Sequence, residues 1–496
     1  MFPYKTSILL DRKSNQSLYL QLSKQLINLI KENRLPSKTK LPGSRTLSEL
    51  LGVHRKTIVA CYDELILQGW IESVPKKGTF VHSNLPELEQ QKLSNQTKSE
   101  FKENVGFDFY KSKILENTLN NNFEKVTLIN DGVSDGRLAP INEIARIYRR
   151  ITSKKEAYKH LSYSSTFGNE KLRIVLAEYL NKTRGLHISK DNILITRGSQ
   201  NGIYLTTQLL LKNNDIIIVG TTNYIAADIT FQNQKANLVR VHVDENGLDT
   251  CQIEAICKKQ QIKAVYVTSH HHHPTTVTLS AERRIHLLNL AQKYRFAIIE
   301  DDYDYDFNYN HSPILPLASH DTNGNVIYIG SVCKTVAPVF RIGYLIASKE
   351  FVNEASNLRR IVDRQGDALL ELTFAEFIKN GDLDRHIKKM LKVYKMRRDL
   401  ICKLLKEELS DYFQFEIPKG GMAIWLKLNP TISWDAISKI ALENELIIGD
   451  WKRYDPKKTK HNAIRLGFAT YNEEEIHELI DKLKQTFLIF KQEKSL

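Results

Sequence analysis

Residues 326–346, VIYIGSVCKTVAPVFRIGYLI, place a lysine directly after a strand-like run. The β-branched residues 326–329 predict a buried strand, and the chain turns through a Gly-Ser pair before it reaches Lys334. An ε-amine forms a Schiff base only when it is partly deprotonated, which burial and a neighbouring cation promote. Arg341 is a candidate for that cation. A phosphorylated aldehyde cofactor would engage both residues, whereas a core strand followed by a surface loop is the simpler alternative.

The order of segments around Lys334 predicts an α/β fold. From roughly Asn122 onward, helix-like and strand-like segments alternate, as they do in folds with a mainly parallel sheet. With 496 residues and 42% hydrophobic content, the chain can build a large core and is too long for one ordinary domain. Ligands of such sheets bind beyond the carboxyl ends of the strands, so functional residues are expected directly after strands.

Several further candidates follow strand-like segments. The NILIT segment leads to Ser199 and Gln200 at the start of a helix, where unpaired N–H groups can receive a phosphate. Tyr224 follows IIIVG and can stack on a flat ring. Asp301 and Tyr303 follow FAIIE, and the Asp301 carboxylate can hold a pyridinium N–H group. A plain strand-to-helix turn, a core tyrosine and an acidic loop are the ordinary alternatives.

Four consecutive histidines, residues 270–273, raise the question of a metal site. Consecutive residues of an extended chain point to alternate faces, so at most two of these side chains can share one site. The five cysteines are scattered without a CxxC motif, which indicates neither a zinc site nor a disulfide framework. We therefore expect no metal.

The first 83 residues are more basic than the rest of the chain. They hold 13 Lys and Arg against 6 Asp and Glu, which accounts for half of the net charge of +14. A small basic module indicates a polyanionic partner. Ser17 is placed to cap one helix and Ser44 a second, RTLSELL, which Gly52 ends. A further helix is expected from about His54 to Gln68.

These helices form the pattern of a helix-turn-helix followed by a wing. The first turn of the second helix of such a motif enters the major groove, and here it carries Arg55 and Lys56. Residues 70–81 predict a β-hairpin whose turn, with Lys77 and Gly78, would meet phosphates. A helical packing or dimerisation module is the alternative.

Residues 84–121 separate the two regions and are expected to form a flexible linker. Their first part is polar and rich in Gln, Lys, Glu and Ser, with few large apolar residues. The expected domains are therefore 1–83 and 122–496. No apolar run approaches the ~20 residues of a membrane span, and no signal peptide is recognisable at the N-terminus. We expect a cytoplasmic protein without membrane contact.

The basic module resembles the winged helix of GntR-type regulators. The motifs LPGSR, LGVHRKT, CYDEL, GW and KGTFV carry this resemblance and occur in the family's order. The resemblance implies that the module binds a double-stranded DNA operator. It assigns the DNA contacts to Ser44, Arg45, Arg55, Lys56, Thr57, Lys77 and Gly78. His54 stands where the family usually has a small polar residue.

The large domain looks like a fold-type I aminotransferase of the pyridoxal 5′-phosphate (PLP) class. The chain as a whole resembles the MocR/GabR-type regulators, which fuse a GntR winged helix to that domain. The blocks that carry the resemblance are YSSTFGNEKLR (163–173), ITRGSQ (195–200), EDDYD (300–304), CKTVAPVFRIGY (333–344) and AIRLGFA (463–469). The expected fold class is multidomain, with an N-terminal winged helix-turn-helix (α+β) and a C-terminal α/β PLP-dependent transferase fold of type I.

The resemblance implies a role for each candidate residue. It makes Lys334 the Schiff-base lysine, Asp301 the partner of the pyridine nitrogen and Tyr303 a contact of the 3′ oxygen. Tyr224 would face the ring, and Arg465 would receive a ligand carboxylate through its planar fork. The phosphate site would consist of Ser199, Gln200, Ser331 and Arg341.

The chain departs from the family's pattern around the ligand. Residues 273–276, His-Pro-Thr-Thr, stand where the family tends to have an aromatic residue followed by Pro-Thr-Gly. Cys333 replaces a typical serine, and Ala423 stands where a histidine is frequent. The cofactor residues are retained while the rim of the ligand site differs.

The resemblance implies a PLP-dependent transcription regulator that senses a small amino compound through Lys334. It also implies a homodimer, often with each winged helix packed against the partner's large domain. PLP itself as the signal is a second interpretation. A working aminotransferase with an accessory DNA-binding module is a third.

Overall fold

The computed structural model describes residues 2–85, 104–115, 127–309, 314–332, 334–449, 451–454 and 461–495. The chain divides into two compact units, Met1–Phe109 and Tyr110–Leu496. Residues 86–103 and 116–121 of the expected linker lie outside the described residues, as does Cys333. The domain boundaries at 83 and 122 stay a prediction.

The first unit consists of short helices followed by a two-stranded antiparallel hairpin. Its elements are α1 (Tyr4–Ser7), α2 (Leu18–Lys31), α3 (Ser44–Leu51), α4 (Arg55–Leu67), β1 (Ile71–Val74) and β2 (Gly78–Val81). Leu26 of α2, Leu47 of α3 and Leu65 of α4 are each 0% exposed and meet in one core. Because these leucines lie on one face of each helix, the basic side chains of α4 remain on the outer face.

The boundaries of α3 and α4 follow their local chemistry. Gly52 ends α3 in the left-handed conformation, with φ 61°, as the sequence predicts. The His54 side chain caps α4 by accepting a hydrogen bond from the Lys56 backbone N–H. The expectation that Ser44 caps α3 was wrong. Gly43 holds the cap position, and the Ser44 hydroxyl instead accepts a hydrogen bond from Arg55 Nε at 3.3 Å.

The second unit alternates strands and helices. Its strands are β3 (Thr127–Leu128), β4 (Ile193–Thr196), β5 (Ile216–Gly220), β6 (Asn237–Val241), β7 (Val243–Asp244), β8 (Gly247–Leu248), β9 (Ala264–Val267), β10 (Ala297–Asp302), β11 (Val326–Ser331), β12 (Gly343–Ile346), β13 (Phe413–Gln414), β14 (Ala423–Leu428), β15 (Leu446–Ile447) and β16 (Ala463–Gly467). Its helices are α5 (Ile141–Thr152), α6 (Glu170–Arg184), α7 (Ser199–Leu210), α8 (Ile225–Asn233), α9 (Thr250–Cys257), α10 (Ala281–Tyr294), α11 (Lys349–Val362), α12 (Ala368–Lys379), α13 (Asp382–Glu408), α14 (Trp434–Glu443) and α15 (Glu473–Ser495).

A seven-stranded sheet in the order β4-β12-β11-β10-β9-β5-β6 forms the centre of this unit. Strand β12 runs antiparallel to both neighbours, and the adjacent pairs from β11 to β6 are parallel. The expected mainly parallel sheet of an α/β fold is thus confirmed. Every residue of β4 and β9 is buried, as expected for strands that helices cover on both faces.

The carboxyl ends of three strands of the central sheet carry the expected site residues or lie just before them. Strand β10 ends in Asp301 and Asp302, strand β11 ends in Ser331, and β4 ends in Thr196 just before α7. Asp301 pairs in register with Ile329 of β11, which places these strand ends side by side. The fold therefore gathers the candidate residues at one edge of the sheet.

A smaller antiparallel sheet, β13-β14-β16, lies in the C-terminal part of the second unit. Its apolar residues share a core with the long helices α13 and α15. Strand β16 carries Arg465, which pairs in register with Trp425 of β14. Among the described residues, no helix is long and apolar enough to cross a membrane.

Candidate functional site

Lys334 lies in a buried polar site beyond the end of β11. Its Nζ donates a hydrogen bond to the Gly132 carbonyl oxygen at 3.3 Å and lies 4.4 Å from the centroid of the Tyr303 ring. Burial lowers the pKa of Lys334, and the Arg465 guanidinium lowers it further. The amine is thereby poised for nucleophilic attack on a carbonyl group.

The cation that acts on Lys334 is Arg465, whereas the sequence suggested Arg341. Arg341 has φ 49° and directs Nη2 to the Arg197 carbonyl oxygen at 2.7 Å, toward the start of α7. Sequence proximity was misleading here, because the left-handed turn at Arg341 leads its side chain toward α7. Arg465, 131 positions after Lys334, reaches the site from β16.

Asp301 offers a free carboxylate oxygen inside the site. Its Oδ2 accepts a hydrogen bond from the Tyr266 hydroxyl at 2.7 Å. Its Oδ1 is buried and has no hydrogen-bond partner among the residues that the structure describes. Burial raises the pKa of Asp301 to about 7. A buried carboxylate oxygen without a partner is costly, so a ring N–H donor at this position would fit it.

A concave cradle lies where β4 turns into α7. Gly198 precedes the helix with φ 80°, and the first backbone N–H groups of α7, from Ser199 and Gln200, have no intrahelical acceptor. A Cβ atom at Gly198 would lie 2.7 Å from Arg341 Nη2, so glycine permits this close approach of backbone and guanidinium. Backbone donors beside an arginine suit a phosphate group.

Two expected members of the phosphate site use their side chains elsewhere. Gln200 Nε2 donates to Thr230 Oγ1 at 2.8 Å, which directs this amide nitrogen to α8. The Ser331 hydroxyl contacts the Ile342 carbonyl oxygen at 3.3 Å, at the neighbouring strand end. Their assignment as phosphate ligands stays a prediction.

Aromatic side chains line the site on either side of His273. The Tyr224 ring packs edge-on against His273 with centroids 5.2 Å apart, and the Tyr303 ring lies 6.3 Å from it. The Tyr303 hydroxyl donates to the His271 carbonyl oxygen at 2.9 Å. Tyr224, expected to face the ring, and Tyr303, expected to contact the 3′ oxygen, therefore both pack against His273.

Arg465 is 3% exposed, and protein groups surround its guanidinium. Nε lies 3.0 Å from Asp131 Oδ1, Nη1 donates to the Pro274 carbonyl oxygen at 3.0 Å, and Nη2 donates to the Tyr303 hydroxyl at 3.3 Å. The expected carboxylate-binding arginine thus lies next to Lys334, but it already holds one carboxylate of the chain itself.

The four consecutive histidines point to four different partners. His270 Nδ1 lies 3.2 Å from Asp302, His271 Nδ1 lies 2.8 Å from Asp304, and His273 Nε2 lies 2.9 Å from Asp131. His272 Nε2 lies 3.0 Å from the Thr222 carbonyl oxygen. No group of three or more His, Cys, Asp or Glu in the described part of the chain is arranged to hold a metal ion.

These residues together fit a phosphorylated pyridine aldehyde. Lys334 supplies the amine, the free Asp301 Oδ1 suits the ring nitrogen, and the cradle at Gly198 suits the phosphate. The aldehyde of such a cofactor accepts amines and withdraws electrons from the attached carbon. The chain's own residues would hold the ring and the phosphate in one orientation.

The charge on Arg465 is expected to control the pH dependence of cofactor attachment. Replacing it in Arg465→Gln removes the cation that disfavours the Lys334 ammonium, so the pKa of Lys334 rises. Attachment needs the unprotonated amine, so the midpoint of the attachment rate against pH should move upward. The measurement is stopped-flow absorbance of apoprotein mixed with PLP. Arg465→Lys keeps the charge and should keep the wild-type midpoint; an unmoved midpoint in Arg465→Gln would contradict the assignment.

Most of the expected DNA-contacting residues of the first unit are exposed to solvent. Arg45, Arg55, Lys56 and Lys77 are exposed, and Ser44 and Thr57 are half-buried at the starts of α3 and α4. Gly78, with φ 119°, follows the tight turn of the hairpin. The exposed cations lie on the outer face of α4, beside its start, and at the wing tip, as binding to a groove and its phosphates requires.

Sequence reasoning missed three participants of the buried site: Tyr266, Asp131 and Gly132. Tyr266 lies in the middle of β9, where alternation predicts only a core residue. Asp131 and Gly132 lie about 200 residues before Lys334, and no spacing rule connects the two segments. Only the turn-forming Asp-Gly pair could have marked this segment as a loop.

Comparison with known proteins agrees with this two-part organisation. Residues 132–483 match the family described as aminotransferase class I and II, and residues 18–81 match the bacterial regulatory proteins of the gntR family. The HTH-type transcriptional regulator YdfD of Bacillus subtilis is 27% identical over 93% of this chain and 95% of its own length. The probable rhizopine catabolism regulatory protein MocR of Rhizobium meliloti is 24% identical over 97% of this chain and 96% of its own.

Among solved structures, the kynurenine aminotransferase of Pyrococcus horikoshii, in complex with PMP, superposes with a TM-score of 0.68. It is 28% identical and covers 73% of this chain and 90% of its own. The family match and the fit of the buried site imply PLP as the cofactor, and the gntR match makes the first unit a DNA-binding domain. The chain belongs to the aminotransferase class I and II family and joins that domain to a gntR-family winged helix, as the MocR-type transcription regulators do.

Proposed function

We propose that this MocR-type regulator senses a small amino compound at the buried site and converts its binding into a change in DNA affinity. One observation carries this proposal: Lys334, Asp301 and Arg465 meet in a single buried site of a chain that also carries an exposed basic winged helix. Lys334 and Asp301 would hold the aldehyde and the ring nitrogen of the cofactor, and Arg465 would bind a carboxylate. An amino acid carries both an amine that can react with the aldehyde and a carboxylate that Arg465 can bind.

Different residues of the chain recognise different groups of the cofactor and of the sensed compound. Lys334 would hold the cofactor through its ε-amine, and the cofactor's aldehyde would supply the group that recognises the amine of the sensed compound. Arg465 orients the carboxylate of that compound, and Tyr303 and Tyr224 face the ring. Because the compound binds two arrangements of the protein with different affinities, it shifts the balance between them and so the affinity for DNA.

The remaining partners follow from the same proposal. The DNA is a double-stranded operator, contacted by Ser44, Arg45, Arg55, Lys56, Thr57 and the wing residues Lys77 and Gly78. The protein acts in the cytoplasm as a homodimer, with each winged helix packed against the partner's large domain. Two winged helices then meet two half-sites spaced by the dimer.

A working aminotransferase is the second candidate function. It is favoured by the complete set of Lys334, Asp301 and Arg465 in one site and by the structural similarity to an aminotransferase. Under a third interpretation PLP itself is the signal, so that reversible cofactor occupancy alone sets the DNA affinity. The three differ in what an amino compound does to the loaded protein.

A visible-absorbance titration with product analysis tests the proposal. The full-length protein is loaded with PLP and then titrated with a panel of amino acids in the presence of a second keto acid. The proposal predicts a saturable spectral change without accumulation of keto product. Sustained keto-acid production would favour the enzyme, and the absence of any amine response together with reversible PLP occupancy would favour PLP as the signal.

A further inference from the structure

The carboxylate of Asp131 contacts Arg465 and His273, two side chains that lie where a ligand carboxylate is expected. Its Oδ1 lies 3.0 Å from Arg465 Nε, and its Oδ2 lies 2.9 Å from His273 Nε2. Partial removal of the Asp131 carboxylate from water opposes its ionisation, yet the His273 and Arg465 groups lower its pKa well below the usual range. The site thus contains an ionised carboxylate of the chain where an ionised carboxylate of a ligand is expected.

The segment that carries Asp131 is anchored on both sides of it. The Asn130 carbonyl oxygen accepts from the Gly467 N–H at 2.8 Å, next to Arg465 on β16. Asn130 Oδ1 accepts from the Gly132 N–H at 2.9 Å, and the Gly132 carbonyl oxygen accepts from Lys334 Nζ. The backbone is therefore fixed by contacts that do not involve the Asp131 side chain.

The Asp131 side chain is 46% exposed, whereas those of Arg465 and His273 are 1% and 4% exposed. Asp131 therefore lies between solvent and the two buried donors. The other two guanidinium nitrogens of Arg465 bind the Pro274 carbonyl oxygen and the Tyr303 hydroxyl, which are neutral and buried. Among the described contacts of this arginine, Asp131 is the one that carries a negative charge, as a ligand carboxylate does, and that is also accessible to solvent.

We infer that Asp131 is a built-in competitor that a carboxylate-bearing ligand must displace from Arg465 and His273. This inference rests on the proposed function, because the displacing ligand is the sensed amino compound. Two carboxylates cannot share the same donors without strong repulsion, so ligand binding and the Asp131 contacts exclude each other. Rotation of the Asp131 side chain toward solvent withdraws its carboxylate from Arg465 and His273. The anchored backbone stays in place, and Arg465 Nε keeps its hydrogen bond to the Asp131 carbonyl oxygen at 3.2 Å.

Such competition sets which compounds the site accepts. The apparent affinity for a carboxylate is the intrinsic affinity multiplied by the fraction of molecules in which Asp131 has turned away. A compound with an amine and a carboxylate gains enough to displace Asp131, whereas a carboxylate alone gains less. Asp131 thus lowers the apparent affinity for every carboxylate by the same factor, and a compound that also gains from its amine is the one that still binds at low concentration.

Calorimetric titration of the PLP-loaded full-length protein with succinate tests the inference, since succinate carries carboxylates but no amine. Asp131→Asn removes the competing charge and keeps a side chain of the same size, so succinate should bind about tenfold more tightly than to wild type. Asp481→Asn removes an exposed carboxylate from α15 of the same unit and should bind succinate as wild type does. Adding Arg465→Gln to Asp131→Asn should abolish the gain.

Unchanged or weaker succinate binding in Asp131→Asn overturns the inference, and so does binding too weak to detect in every variant. Asp131→Ser serves as a second variant, so a folding defect of the first does not decide the result. Visible absorbance of bound PLP and DNA binding are recorded on the same samples. A tenfold gain in succinate affinity without any amine-dependent change in DNA binding would contradict the proposed sensing function alone. The reverse pattern would contradict only the role of Asp131.

Discussion

Lys334→Ala is expected to lose the covalently held cofactor completely while it binds operator DNA as wild type does. The Lys334 amine is the only group of the chain that the account assigns to the cofactor's aldehyde, so its removal leaves non-covalent contacts alone. The effector response should vanish with it. For wild type we expect an amino compound to change the dissociation constant for DNA by roughly 5-fold to 150-fold, the usual range of allosteric coupling.

Two measurements check this prediction on the same protein samples. Absorbance of the PLP-treated, desalted protein reports covalent attachment, and fluorescence anisotropy of labelled DNA reports affinity with and without the amino compound. Lys395→Ala, which removes an exposed lysine from α13, is the matched control and should behave as wild type. Loss of DNA binding by a folded Lys334→Ala variant would contradict the account, as would an effector response that survives the substitution.

Arg55→Ala is expected to weaken DNA binding by about 10-fold to 100-fold. Arg55 is the first residue of α4 and is exposed, and its Nε donates to the Ser44 hydroxyl, which orients the side chain at the helix start. A guanidinium at this position reaches either a base edge or a phosphate. Its loss therefore removes a central contact without disturbing the core leucines behind it.

The salt dependence of the Arg55→Ala variant distinguishes the two contacts. If Arg55 binds a phosphate, the slope of log affinity against log salt should fall by about 1, and all DNA sequences should weaken alike. If it reads a base, discrimination at one operator position should relax. Lys24→Ala removes an exposed charge from α2 of the same unit and should change the affinity far less. Equal effects of the two substitutions would contradict the placement of α4 in the groove.

The fold could be predicted from sequence where the local residues alone determine a structural element. Gly52 has the left-handed conformation that ends a helix, and the apolar runs before Ser199, Asp301 and Ser331 are strands of the central sheet. In a parallel sheet the carboxyl ends of strands meet at one edge, so residues that follow strands meet as well. The grouping of Lys334 with Asp301 is a consequence of that rule.

The parts that sequence could not predict depend on contacts between distant segments. Asp131 and Tyr266 reach the site from a loop and a strand interior, and nothing in their local sequence reports that they belong to it. Arg465 was expected at the site, but its effect on the pKa of Lys334 was not. Arg341 illustrates the opposite error. It is seven positions from Lys334, yet its left-handed backbone conformation directs the side chain to Arg197 and α7. Proximity along the chain therefore favoured Arg341 over Arg465 as the cation that lowers the pKa of Lys334.

The central claim is that one chain couples the buried amine site to DNA affinity. The most direct test measures the dissociation constant of the PLP-loaded full-length protein for an operator selected from a random DNA pool, across a panel of amino acids. The account predicts that at least one amino acid changes this constant at least fivefold. The change should disappear in Lys334→Ala and should occur without keto-acid turnover. Sustained turnover with a DNA dissociation constant that no amino acid alters would contradict it.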